Sequence, residues 1–398
     1  MKIKKILKKH KKLSFILFVI ISYFGILFIL RIDHFDSYNI AKEDYSPQDL
    51  QFSYVKNNGI KILDLKEGNP YQKGYYHGEK LELEIKELLN YFKNNLLGKD
   101  RYFGRPIYST LNYRAKKFVK NIPKKYIVEM KGIADGAGVS FNDILIINVY
   151  DDLLNLAKCS SMIIPVKKGF NTDFYHTRNL DYNLKILAKN KIVLKYKTHI
   201  SVGFPGYIGV LTGVGEKGIS LSNHTSYTNE KPGLGVPTGF LYRKIVEESN
   251  NLAESKKIIE NADRTIANNI ILGSYKENTG IVAEVTNTRV GYRTFLEGKN
   301  ALISTNYFLS NVLFNKNITF GKDRYNQYHN KLSVLNKINY NDIKDIISYY
   351  DSDLVGWGTI ANRGTVQSVI IKPEKRKLFI ANGNKPPVTN GDFVEIDY

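Results

Sequence analysis

The feature that most constrains this chain is a change of periodicity at Lys158–Cys159. Residues 69–157 carry apolar side chains mainly at helical spacing; beyond them come short runs with strand character. Within 70–97, Leu81, Ile85, Leu88 and Leu89 share one stripe. Residues 112–136 read as one or two helices broken at Pro123. Ser140 with Asp143 three places on is a helix start, and that helix runs on through Ile144, Leu145, Ile147 and Leu153. Ahead of the helices, 59–65 alternates like a strand. After the break, strands are expected at 160–165, 174–178, 191–199, 208–212, 219–223, 280–287, 301–305, 365–371 and 377–382. Helices are expected at 240–261, 323–338 and 340–350. A helical lobe followed by many strands and a few helices predicts one α+β unit, with sheets packed on each other and helices outside.

The amino terminus has a different texture. Residues 1–12 carry seven lysines, and the run from Leu13 to Leu30 has no charge before Arg31. As a helix that run is about 27 Å long, enough to cross a bilayer core. Lysines ahead of it place the amino end in the cytoplasm and the rest outside. The expectation is a signal anchor at 1–31 and a polar tether at 32–53. A mainly helical segment, 54–158, and a strand-rich segment, 159–398, follow. The alternative is secretion after signal cleavage, but no small-residue cleavage site follows the apolar run.

The chain carries a net charge of +20, but without residues 1–31 this falls to 50 − 38 = +12, scattered in short clusters. No nucleic-acid-binding signature accompanies them, so a solvated basic face near an anionic membrane is expected and no nucleic-acid partner. A single cysteine, Cys159, excludes an internal disulfide framework, a multi-thiolate zinc site and an iron–sulfur cluster. The seven histidines form neither an HExxH motif nor a close pair, so no metal is expected, and no other cofactor is implied. Gly213-Val214-Gly215-Glu216-Lys217-Gly218 matches a dinucleotide-binding pattern, but the glycines lead into a strand rather than a helix, so it reads as a hairpin turn. No G-x-S-x-G elbow exists.

Cys159 alone reads as a buried structural thiol. The next segment changes that reading. After a polar turn comes Tyr175-His176-Thr177-Arg178-Asn179-Leu180-Asp181-Tyr182, and a hairpin would return Arg178 and Asp181 beside Cys159. An arginine there favours the thiolate, and an aspartate can orient a base. His176 is read as structural, and Trp357, in Gly356-Trp357-Gly358, as a core residue rather than a lid.

Cys-Ser-Ser followed by His-x-Arg-Asn-Leu-Asp-Tyr resembles the acid ceramidase, choloylglycine hydrolase and penicillin acyltransferase group of N-terminal-nucleophile hydrolases. So do Gly68-Asn69-Pro70-Tyr71-Gln72-Lys73-Gly74-Tyr75-Tyr76-His77-Gly78 and Lys131-Gly132-Ile133-Ala134-Asp135-Gly136-Ala137-Gly138. So too do the strand ending at Asn223, Ser304-Thr305-Asn306-Tyr307-Phe308, and Arg324 on the helix beyond. The resemblance spans about 59–390.

It implies a four-layer αββα fold and self-cleavage at Lys158/Cys159. The freed α-amine, with a pKa of about 8, would then be the base for the Cys159 thiol. By the same analogy Asp181 holds the amine, Arg178 stabilises thiolate and substrate, Asn223 and Asn306 bind the oxyanion, and Arg324 shapes the field. The implied chemistry is hydrolysis of linear amides in N-acylated small molecules through a thioester. An acyltransferase, or a relative that binds acyl ligands without turnover, is the alternative. Two positions depart from the pattern: Lys158 before the nucleophile, and Thr177 where relatives often carry glycine. Oligomeric state is not legible.

Overall fold

A computed structural model describes residues 51–96, 101–154, 158–313, 320–353 and 357–398. The expected membrane span, 13–30, lies outside them; among the described residues no helix is long and apolar enough to cross a membrane.

The described residues open with a hairpin, β1 (Ser53–Asn57) and β2 (Ile60–Asp64). Six helices follow: α1 (Pro70–Lys80), α2 (Glu82–Leu96), α3 (Arg101–Lys116), α4 (Lys124–Ala137), α5 (Phe141–Asn148) and α6 (Tyr150–Leu154). Then come β3 (Lys158–Ile164), β4 (Tyr175–Asp181), β5 (Ile192–Lys195), β6 (His199–Gly203), β7 (Thr212–Gly215) and β8 (Ile219–Thr225). Helices α7 (Thr238–Glu248) and α8 (Leu252–Glu260) lead to β9 (Asn268–Ser274), β10 (Thr279–Val285), β11 (Val290–Arg293) and β12 (Leu302–Ser304). The chain continues with α9 (Lys322–Ser333), α10 (Tyr340–Ile347), β13 (Thr365–Lys372), β14 (Lys377–Ala381) and β15 (Phe393–Asp397).

The strands form a nine-stranded sheet, β1-β2-β5-β6-β7-β8-β9-β10-β11, and a six-stranded sheet, β12-β3-β4-β13-β14-β15. They pack face to face. Val193, Val202 and Val214 of the first meet Val369, Ile371 and Leu378 of the second, and Ile271 and Val282 meet Ile163. The outer face of the nine-stranded sheet buries Leu221 and Leu272 against Leu241, Ile245 and Ile259 of α7 and α8. The outer face of the six-stranded sheet buries Met162, Ile303 and Ile370 against Tyr328, Ile343 and Ile347 of α9 and α10. Four layers result, αββα. The helical lobe closes one end, its core running from Ile85 and Met130 to Cys159, Leu180 and Val366.

Local chemistry explains the elements. Asn69 and Gln72 form a capping box with Pro70 at the first turn of α1. Ser140 accepts the Asp143 amide at the start of α5. That helix stops at Asn148 rather than running through Leu153: Val149 leaves helical geometry, and Asn148 bonds the loop carbonyl of Gly206 at 2.8 Å and the amide of Ile208 at 2.8 Å. The expected strand at 208–212 is therefore a loop as far as Leu211. The expected strand at 191–199 turns between β5 and β6, and the helix at 240–261 divides at Ser249–Asn251, where Asn251 caps α8. Strands β1, β9, β11 and β15 were not foreseen. The Gly213–Gly218 motif is the β7–β8 hairpin. Helices α1 and α4 cross backbone to backbone: a methyl on Gly74 would lie 1.9 Å from the Glu129 carbonyl, and one on Gly132 2.2 Å from that of Tyr71. Both halves of the sequence resemblance ahead of the nucleophile are thus one helix crossing.

Candidate active site

Strands β3 and β4 are an antiparallel hairpin in which Cys159 faces Leu180, Ser161 faces Arg178 and Lys158 faces Asp181. Because side chains alternate along a strand, Cys159 and Arg178 share one face and Asp181 projects from the other. Arg178 Nη2 donates to Cys159 Sγ at 3.0 Å. The guanidinium is anchored by Thr212 Oγ1 at 3.1 Å and by the Leu211 carbonyl. Asn223 Oδ1 lies 3.5 Å from both of its terminal nitrogens.

Asp181 is not beside the thiol, as the hairpin argument expected; residues three apart on a strand leave on opposite faces. It reaches the nucleophile through Arg324 of α9. Arg324 Nη1 donates to the Cys159 carbonyl at 2.5 Å and to Asp181 Oδ2 at 3.4 Å, and Nη2 donates to Asn306 Oδ1 at 2.7 Å. Asp181 also accepts from Asn362 Nδ2 at 2.8 Å and Thr365 Oγ1 at 2.7 Å. Burial raises its pKa, and the pull of Arg324, Thr365 and Asn362 works against that.

Asn306 presents an acceptor where a donor was expected. Its Oδ1 takes the Cys159 amide proton at 2.8 Å, and its NH2 is committed to the Thr225 carbonyl at 2.6 Å. In the continuous chain it therefore holds the Cys159 nitrogen rather than presenting a donor. Asn223 Nδ2 points at Asn268 Oδ1, 3.2 Å away.

All six expected residues are buried; Arg178, Asn306 and Arg324 contact Cys159 directly, while Asp181 and Asn223 reach it only through Arg324 and Arg178. Burial pushes the thiol pKa up, and the guanidinium of Arg178 only partly opposes it. The expectation that Arg178 makes a thiolate is reversed in the uncut chain, because a fully enclosed sulfur loses more hydration than one cation returns. His176 stands between Ser220 Oγ at 2.8 Å and Ser222 Oγ at 2.9 Å, and burial lowers its pKa to about 3, so it is a neutral structural side chain.

Lys158, on the Asp181 face, places its ammonium 4.5 Å from the ring centres of both Phe320 and Trp357. Trp357 is half-buried against this lysine and does not fill the core.

Beside Arg178 opens an almost wholly apolar pocket of about 80 Å³ between the helical lobe and the β4–β7 loops. Leu88, Phe92, Tyr182, Phe204 and Leu211 line it, and the Leu211 carbonyl is the one Arg178 holds. Its one acidic wall residue is Asp151, hydrogen-bonded by the Tyr182 hydroxyl; burial, reinforced by Asp152, raises the Asp151 pKa to about 7. Among the described residues no group of three His, Cys, Asp or Glu side chains could hold a metal ion. Sequence reasoning missed Asn362, Thr365, Asn268 and Asp151. Thr365 is 184 positions from Asp181, and no local pattern marks so distant a contact.

The sequence model of one family, described as acyl-coenzyme A:6-aminopenicillanic acid acyl-transferase, matches residues 168–386, which hold Arg178, Asp181, Asn223, Asn306 and Arg324. Among curated proteins the chain is similar to protein dcd1A of Dictyostelium discoideum, 27% identical over 256 residues, covering 56% of this chain and 58% of that protein. It is also similar to acid ceramidase of Rattus norvegicus, 26% identical over 199 residues, covering 41% and 48%. The chain thus spans about half the length of these relatives. A solved Caenorhabditis elegans N-acylethanolamine-hydrolyzing acid amidase ortholog aligns with a TM-score of 0.42 at 20% identity, covering 54% of this chain and 93% of that one. With more than half of its residues matched by that family, the chain belongs to the acyl-coenzyme A:6-aminopenicillanic acid acyl-transferase family of N-terminal-nucleophile hydrolases.

Proposed function

We propose that the protein is a self-processing cysteine amidase of N-acylated small molecules. One observation carries this reading: the sulfur, nitrogen and carbonyl oxygen of Cys159 are each held by a dedicated side chain, Arg178, Asn306 and Arg324. A merely structural cysteine needs none of these contacts.

In the first step the thiol attacks the Lys158 carbonyl, the C–N bond to Cys159 breaks, and the thiol proton passes to the departing nitrogen. Water then cleaves the thioester, leaving a carboxylate on Lys158 and a free amine on Cys159. That amine, with a pKa of about 8, is a usable base at neutral pH. Asn306 Oδ1 already holds this nitrogen and keeps it oriented after the cut. Arg178 stabilises the thiolate. Asn223 Nδ2, held more loosely by Asn268 Oδ1 at 3.2 Å than the Asn306 amide is by Thr225, is the donor for the developing oxyanion, a role worth about 2.7–4 kcal/mol when such a donor is lost. The apolar pocket receives the apolar end of the substrate. An amide carbon then repeats the sequence: thioester formation, loss of the amine, attack by water. The family's name describes acyl transfer to an amine, and the relative named acid ceramidase fits amide cleavage. The lysine-rich start and apolar run support an anchored enzyme facing outward, where water is the abundant acceptor.

The test is the covalent state of the full-length chain, purified in detergent. Intact mass and amino-terminal sequencing are expected to give a 240-residue fragment (398 − 159 + 1) starting at Cys159, absent from Cys159→Ala. An uncut chain under all conditions would remove the base and leave an acyl-ligand-binding protein. Turnover of N-acyl substrates with and without an added amine separates amidase from acyltransferase.

A further inference from the structure

The residue ahead of the cut is caged. Lys158 extends from β3 on the face opposite the thiol, and its ammonium lies between the rings of Phe320 and Trp357, 4.5 Å from each centroid. Among the described residues these rings, and no carboxylate at ion-pair distance, are what hold that charge. Two aromatic faces around one cation form a recognition site for ammonium groups, because ring quadrupoles attract the charge and the walls exclude water.

Two further contacts indicate that the cage is built rather than incidental. Trp357 lies where Gly364 leaves room for it: a methyl on Gly364 would come within 1.8 Å of the indole ring. Phe320 is braced edge-on by Tyr227, with centroids 5.5 Å apart. Arg324 also stands over the Phe320 ring at 5.8 Å and its charge opposes a cation in the cage; Asp181, paired with it at 3.4 Å, offsets part of that repulsion.

We propose that self-cleavage vacates this cage and turns it into a substrate subsite for a cation, a primary or quaternary ammonium borne on the acyl side of the scissile amide. The inference rests on the self-cleaving reading above. In the cut, Sγ takes the Lys158 acyl group; in turnover, the same sulfur takes the substrate's acyl group. The acyl substituent is therefore offered the space that Lys158 leaves, and the cage lies one lysine side chain from the carbonyl. The apolar pocket flanks the other side, by Arg178 and Leu211. The favoured substrate class is an amide with a cation at the acyl end and an apolar group across the scissile bond.

Trp357 is the sole tryptophan of the chain, so its fluorescence reads the cage directly. The probes are two acyl amides matched in shape, one ending in trimethylammonium and one in the neutral tert-butyl isostere. Full-length processed protein in detergent is expected to bind the cation about tenfold more tightly by tryptophan fluorescence. Phe320→Leu erases the preference, and uncut Cys159→Ala, with Lys158 still in place, shows none. Equal affinity for both probes in processed protein, or equal preference in uncut protein, overturns the proposal. The double variant Lys158→Ala, Cys159→Ala empties the cage without any cut. A cation preference there supports the subsite even if the wild-type chain never processes, an outcome that would count against the amidase reading alone. Its absence counts against the subsite.

Discussion

At Cys159 two opposing effects meet, and in the proposed mechanism their balance sets the pH at which the thiol reacts. Enclosure favours the neutral thiol, and the Arg178 guanidinium favours the thiolate; enclosure wins in the uncut chain. Self-cleavage is therefore expected to accelerate with pH and to keep rising beyond the ordinary thiol pKa of about 8.5. Arg178→Gln moves that profile further up and slows cleavage about tenfold to a hundredfold at pH 7.5, the worth of a charge-assisted hydrogen bond. A gel time course across pH checks both. Asp181 and Arg324 are a fully buried ion pair. Asp181→Asn strands the guanidinium and is expected to cost about 3–5 kcal/mol in urea unfolding, whereas Asp181→Asn with Arg324→Met costs less than the sum of the two single changes. Both measurements belong in a Cys159→Ala background, where every chain is uncut.

Among the elements, the α1–α4 crossing is the most sharply specified. Gly74 and Gly78 on one helix and Gly132 and Gly136 on the other let carbonyls pass at distances no Cβ tolerates. Gly132→Ala is expected to lose about 3 kcal/mol or more, the upper end of overpacking costs, with the helices forced apart. Urea unfolding against a surface control such as Lys120→Ala reads this. The β3–β4 hairpin has a comparable logic. Its register decides that Arg178 meets the sulfur and that Asp181 meets the backbone side, so a one-residue slip would exchange the two faces.

For the molecule as a whole, pH dependence follows from groups buried in their neutral form. His77, His176 and His199 have pKa values lowered to about 3 by burial. Their stability contribution is complete above the unfolded value of 6.5 and is lost as pH falls from there toward 3. Asp151 and Asp152 are raised by burial to about 7 and about 6. Their contribution is complete below the unfolded value of 3.8 and is lost as pH rises through 6 and 7. With His224, lowered further by burial, four histidines outweigh two aspartates on acidification, so Tm is expected to fall between pH 6.5 and pH 4. Asp151→Asn raises stability at pH 8, by no more than about 4 kcal/mol, and leaves it unchanged at pH 4. Thermal scans at both pH values separate the two groups.

Much of this was legible without a fold. The helical lobe, the β-rich remainder and the β7–β8 hairpin follow from periodicity and turn chemistry, local properties of the chain, and the six site residues were named by the family resemblance of its motifs. Orientation was not legible. That Asp181 meets Arg324 rather than the thiol, that Asn306 offers its oxygen to the Cys159 nitrogen, and that burial overrides Arg178 are set by which faces and layers meet. The same holds for Thr365 and Asn362, and for the cage, whose rings lie more than 150 positions from Lys158. Sequence order carries the identities of these groups. Their distances, desolvation and hydrogen-bond polarity arise only when two sheets close on each other, because each is a property of a pair and the pair does not exist until the layers pack.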